Sequence, residues 1–112
     1  MLEPFSVDFV HSNGESVVRF AGELDLGQAE KAERAAIEGL ARSESGPLIL
    51  DLSGLRFCDS SGIRALLRID AEAKQGGRSI VLRAPDPQLQ RVLDLVGLSG
   101  HFTIQDDGPE VR

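Results

Sequence analysis

The chain has 112 residues, 41% of them hydrophobic and 27% charged, enough for one domain that buries roughly two-thirds of its unfolded surface. Its 12 basic and 18 acidic residues leave a net charge of −6, and with no Lys/Arg cluster such a surface repels nucleic acid and anionic lipid. Trp and Tyr are absent and only five Phe are present, which removes base-stacking platforms and aromatic cages from consideration.

Residues 5–11 and 15–21 flank Asn13-Gly14, the strongest short hairpin signal in the chain. A tight turn there sets Phe9 opposite Val18, Val7 opposite Phe20 and Asp8 opposite Arg19. One face is then apolar, and the other carries a cross-strand pair of opposite charge. Gly22-Glu23-Leu24-Asp25 leads into a predicted helix over residues 28–41, with Ala29, Ala32, Ala36 and Leu40 as a small apolar stripe and Ile37 beside it. Gly46-Pro47 breaks the chain. The nearly unbroken apolar run 48–52 that follows predicts an interior strand, buried on both faces.

A second helix is predicted from Ser60 or Ser61 to Gln75, stopped by Gly76-Gly77, with Ile63, Leu66 and Leu67 facing inward. Residues 79–83 read as a strand. Asp86-Pro87 supplies an N-cap and a first-turn proline for a third helix carrying Leu89, Val92, Leu93 and Val96 and closed by Gly97. Residues 102–105 predict a last short strand. The expected fold is one α/β domain over residues 1–105, with a flexible acidic tail over 106–112. Its sheet is mixed, of four to five strands (the N-terminal hairpin plus parallel strands), covered by three or four helices. Phe5, Phe9, Phe20, Phe57 and Phe102 are expected in the core.

The densest chemistry lies in residues 51–63, Asp-Leu-Ser-Gly-Leu-Arg-Phe-Cys-Asp-Ser-Ser-Gly-Ile. This stretch leaves the carboxyl end of an interior strand and enters a helix, where open α/β sheets place their sites. The plain reading is that Asp59 or Ser60 caps the helix. Against it, three successive hydroxyl or carboxyl residues exceed what a cap uses, and Gly62 is a poor helix former in the first turn, which suggests a close approach.

These residues carry a resemblance. Asp59-Ser60-Ser61-Gly62 after Leu50-Asp51-Leu52-Ser53-Gly54-Leu55, with Gly22-Glu23-Leu24-Asp25 ahead of the first helix, resembles the anti-sigma-factor antagonist family, the STAS domain. The likeness covers residues 5–105. It implies a protein that binds an anti-sigma factor with serine kinase activity and so releases a sigma factor. Phosphorylation of the serine before the motif glycine ends that contact, and a serine phosphatase resets it. Carried over, Ser61 is the phosphoacceptor, with Ser60 the less favoured candidate. Asp59, Ser60, Gly62 and Arg64 shape the partner contact, and Asp25 and Glu23 lie on the neighbouring loop. Cys58 departs from the pattern, standing where an apolar residue is usual.

Arg64 is placed to touch a phosphate at Ser61. Alternatively Arg64, Arg68 and Glu72 form a solvated, salt-bridged helix face. Cys58 reads as a small core hydrophobe rather than a redox centre. With His11 and His101 far apart in sequence, no metal and no cofactor is expected. Catalysis finds no support: there is no phosphate-cradling Gly-x-x-x-x-Gly-Lys stretch and no Gly-x-Ser-x-Gly elbow. No apolar run nears the ~20 residues of a membrane span, and the acidic Met1-Leu2-Glu3-Pro4 does not read as a basic leader. A cytoplasmic monomer or weak dimer is therefore expected. The alternative is a scaffold of the same fold in a stress-sensing assembly or a membrane transport complex, outside any sigma-factor circuit.

Overall fold

Asn13 and Gly14 both adopt positive φ, 53° and 78°, the conformation a two-residue hairpin turn demands. They join β1 (Ser6–Ser12) to β2 (Glu15–Leu24) in antiparallel register, with Val7 opposite Phe20, Asp8 opposite Arg19 and Phe9 opposite Val18. This is the register expected from the sequence. The ion pair is not: the Arg19 guanidinium turns away from Asp8 to Asp51 on the next strand, Nε to Oδ2 3.3 Å. Asp51 is the more sheltered acceptor, at 8% exposure, and an ion pair is worth more there than at a solvated hairpin edge.

The computed structural model describes residues 3–106; the tail expected over 106–112 lies, from 107 onward, outside the described residues. After the hairpin come α1 (Ala29–Ala41), β3 (Leu48–Cys58), α2 (Ser60–Gln75), β4 (Ile80–Arg83), α3 (Pro87–Leu95) and β5 (Thr103–Gln105). The sheet order is β1-β2-β3-β4-β5, antiparallel at the first pair and parallel thereafter. The three crossovers β2-α1-β3, β3-α2-β4 and β4-α3-β5 all step the same way across the sheet. Right-handed connections therefore place the three described helices on one face.

That face holds the core. Val18, Phe20, Leu48, Leu50, Leu52 and Leu82 are fully buried beneath Ala32 and Ala36 of α1 and Leu66 and Ile69 of α2. The expected alanine stripe of α1 is buried and is joined by Ala35 and Gly39. A Cβ on Gly39 would stand 2.5 Å from Val18 Cγ2, so the helix axis lies close to the sheet. Ile37 does not join the stripe. It is 44% exposed, because its position falls about 100° round the helix from Ala36, off the inward face.

The opposite face carries Val17, Arg19, Ile49, Asp51, Val81 and Arg83 by strand alternation. Arg83 on β4 reaches Glu15 at the start of β2, 3.1 Å to each carboxylate oxygen, and also bonds Gln105. Burial pushes the Asp51 carboxyl up. Hydrogen bonds from Ser53 N and Oγ and from Arg19 outweigh that effect and hold it below the usual carboxylate range.

The main departure from expectation is the length of β3. The apolar run 48–52 is interior and buried as expected, but the strand continues to Cys58. Beyond Asp51 it outruns β4 and pairs only with β2, across register shifts between Arg19/Ala21 and Gly22/Glu23. The result is a two-stranded extension at the carboxyl end of the sheet. Phe57, expected in the core, rides on this extension and is 48% exposed, because β4 pairs with β3 only as far as Asp51.

Candidate functional site

The extension brings the two sequence motifs together. Glu23 pairs with Phe57 and Leu24 with Cys58, and Asp59 N donates to Leu24 O at 3.2 Å. The loop after β2 and the start of α2 therefore stand side by side at the carboxyl edge of the parallel strands, where ligands and partners meet such sheets.

Asp59 is the N-cap of α2, in extended conformation at φ −92° and ψ −170°. Its Oδ1 accepts from Ser61 N at 2.9 Å and Gly62 N at 3.1 Å, and its carbonyl accepts from Ile63 N at 3.0 Å. The plain capping reading thus holds for Asp59 and not for Ser60. Ser60 is exposed and Ser61 half-buried. Among the described residues neither serine hydroxyl has a hydrogen-bond partner, although the cap has already satisfied the backbone beside them.

Gly62 has a local reason for being glycine. A Cβ there would lie 2.6 Å from Cys58 Sγ and 2.9 Å from both Leu24 Cγ and Leu24 O. The close approach suspected from the sequence is made by the end of β2, which presses on the first turn of α2. Asp25 organises the neighbouring loop: its Oδ1 accepts from Gly27 N at 3.1 Å and its carbonyl from Gln28 N at 3.0 Å. Glu23 is half-buried on the extension.

Two expected side-chain roles shift. Arg68 pairs with Glu33 of α1 at 3.2 Å rather than with Glu72, because the packing of α1 against α2 brings a carboxylate nearer than its own helix does. Arg64 is exposed, with no ion pair among the described residues. Burial pushes the Cys58 thiol up to about 12, with the negative charges of Asp59 and Asp86 adding to it. At neutral pH it is a protonated thiol packed against the core, the character of a small hydrophobe. His101 lies away from the site, its Nε2 3.0 Å from the buried Asp70, which also takes Lys74 at 3.0 Å.

Sequence reasoning did not find the third wall of the site. Asp86 caps α3, accepting from Leu89 N at 2.8 Å, and also borders Cys58. A groove of about 50 Å³ runs between the β3 extension at Leu55–Cys58 and α3 at Asp86, Leu89 and Val92. Leu26, on the loop after β2, is 76% exposed. The one available signal was that α3 carries more apolar residues than a single inward face uses, with Leu95 and Val96 both exposed.

Residues 6–110 match the family model of the STAS domain. An anti-sigma F factor antagonist of Paenibacillus polymyxa is 29% identical over 101 residues, which cover 90% of this chain and 86% of that protein. The crystal structure of an anti-sigma factor antagonist from Mycobacterium paratuberculosis superposes with a TM-score of 0.74 at 28% identity, over 96% of this chain and 88% of that one. A structure of the Bacillus cell fate determinant SpoIIAA in its phosphorylated form gives a TM-score of 0.64 at 26% identity, over 92% and 90% of the two chains.

Proposed function

The chain belongs to the STAS-domain family, and from that premise we propose that it is an anti-sigma-factor antagonist working by partner exchange in the cytoplasm. Unphosphorylated, it binds an anti-sigma factor that is also a serine kinase, and the sigma factor is freed. Phosphorylation of Ser61 ends the contact, and a serine phosphatase restores it. The protein is a binding partner and a kinase substrate, not a catalyst.

The observation that carries this reading is the pair of hydroxyls at the mouth of α2 that have no hydrogen-bond partner among the described residues, beside a cap that Asp59 completes without them. Neither hydroxyl is spent on the backbone as a capping serine's is, so each is chemically available to a kinase. Glu23 and Asp25 flank Leu24, which meets Asp59 and the first turn of α2 at Gly62. The switch is one of charge. A phosphoserine adds about −1.5 to −2 charges and three acceptor oxygens. Placed in a close contact without room for them, those oxygens cost several kcal/mol of binding, on the scale of a misplaced interfacial charge.

The test is to incubate the purified protein with ATP and each serine-kinase anti-sigma factor of the source organism, then map the phosphate by mass spectrometry. Modification at Ser61 that also releases the kinase supports the proposal. Phosphate on Ser60 in a Ser61→Ala variant reassigns the acceptor. Stable association with a transport protein regardless of phosphate replaces the switch with a scaffold.

A further inference from the structure

The groove between the β3 extension and α3 has no part in the phosphorylation chemistry, yet it opens directly beside it. Cys58 forms its inner wall and is also the atom group against which Gly62 is packed, 2.6 Å from where a Cβ would stand. We propose that this groove seats a single apolar side chain of the bound anti-sigma kinase, flanked on that partner by basic side chains. The inference rests on the reading of the preceding subsection and names the part of the partner contact that is separate from Ser61.

Three observations choose the occupant. The volume is about 50 Å³, far below the roughly 300–1,000 Å³ that encloses a small-molecule ligand; it suits the tip of one side chain. Leu55, Cys58, Leu89 and Val92 supply apolar wall beside the polar Arg56, Asp86 and Gln88, and the lining includes the half-exposed ring of Phe57. An apolar pocket rimmed by an aromatic ring is the usual setting of an interface anchor. The negative charges of Asp59 and Asp86 both bear on the Cys58 thiol and Glu23 pairs with Phe57 on the adjoining strand, against Arg56 in the lining, so a basic partner surface complements this wall.

The experiment titrates each purified serine-kinase anti-sigma factor of the source organism into wild-type protein and four variants by calorimetry. Val92→Asp places a carboxylate in the groove and is expected to weaken binding about thirtyfold, the scale of an interface anchor. Phe57→Asp, on the opposite wall and already half-exposed, is the second probe should Val92→Asp unfold, and is expected to weaken binding about tenfold. Ile37→Asp, on the outer side of α1, is expected to bind as wild type. Ser61→Glu reads the switch independently. If both groove variants bind as wild type while Ser61→Glu is weakened, the groove proposal is overturned and the switch stands. If wild-type protein binds none of the kinases, the underlying reading falls and the groove proposal falls with it.

Discussion

The two ends of the sheet use polar side chains in opposite ways. At the amino end of β3 and β4, Arg78 donates to Gly46 O at 2.7 Å, Leu40 O at 3.0 Å, Ser43 O at 3.1 Å and Ser43 Oγ at 2.8 Å. One guanidinium thus closes the last turn of α1 and the loop that follows it, satisfying carbonyls that a helix end leaves orphaned. At the carboxyl end, Asp59 caps the first turn of α2, and among the described residues the hydroxyls of Ser60 and Ser61 bond nothing. Both ends are polar loops on the same scaffold. What separates a fastening from a site is whether the donors and acceptors are consumed within the chain.

Replacing the fastening is expected to have the largest effect. Arg78→Ala strips charge-assisted hydrogen bonds from four acceptors, several of them partly buried, and should cost about 3 kcal/mol. In a domain of this size that lowers the thermal midpoint by roughly 10–20 °C. Arg64→Ala, at the other end, removes an exposed side chain with no ion pair among the described residues and should stay within about 0.5 kcal/mol. Equal losses from the two in thermal denaturation would break the comparison.

Gly62→Ala comes next. The added methyl must displace Leu24 backbone and the Cys58 sulfur, both inside 3.0 Å. Overpacking of this kind costs roughly 1–3 kcal/mol, partly offset by the ~1 kcal/mol that alanine gains over glycine in a helix. A net loss of about 1–2 kcal/mol follows, measurable as a shifted urea midpoint with unchanged slope. A stabilised variant would show that the end of β2 yields freely and that the two motifs are not wedged together.

Local rules made most of this fold legible. Asn13-Gly14 fixed a hairpin whose register followed residue by residue, since a two-residue turn leaves no freedom in the pairing. Asp86-Pro87 and Asp59 marked helix starts because capping is a property of neighbours in sequence. What could not be read was set by distant residues. Phe57 looked like core, and only the shortness of β4 leaves it uncovered. Arg19 faces Asp8 in the hairpin, but a better acceptor arrives on β3 from 32 residues away. At the site, the serines and the capping aspartate were visible as a motif, whereas the groove was not, because its second wall belongs to α3.

Within the site, the cap and the free hydroxyl next to it can be told apart. Asp59→Ala removes the acceptor of two N–H groups and should cost about 1 kcal/mol. Ser60→Ala removes a hydroxyl that bonds nothing among the described residues and should leave the unfolding midpoint unmoved. Cys58 gives a parallel check without mutation. Its thiol is held at about 12 against an ordinary 9.0, so at pH 8 a thiol-specific reagent should label the folded protein far more slowly than the urea-unfolded chain. The sign of the accompanying pH effect is fixed. Above pH 9 the unfolded chain loses this proton first, so the folded state binds more protons, and this stabilisation falls as pH rises from about 9 toward 12. Rapid labelling at pH 8 would place the thiol outside the packed junction.

The smallest expected effect is that of phosphate on the fold itself. At the first turn of α2 the added charge meets the positive end of the helix, favourable by about 0.3–1 kcal/mol. It also meets the Asp59 carboxylate, whose Oδ1 sits 2.9 Å from the Ser61 amide, and that repulsion is on the order of 1–2 kcal/mol in a mostly solvated setting. The two oppose each other, so chemical denaturation of modified and unmodified protein should agree to within about 1 kcal/mol, with amide spectra differing only around the β3–α2 junction. The proposed loss of partner binding has a different origin: a close contact without room for three added oxygens is not relieved by the charges beside it. A large loss of stability on phosphorylation would mean that the switch acts through refolding, and that this end of the sheet is as tightly fastened as the end Arg78 holds.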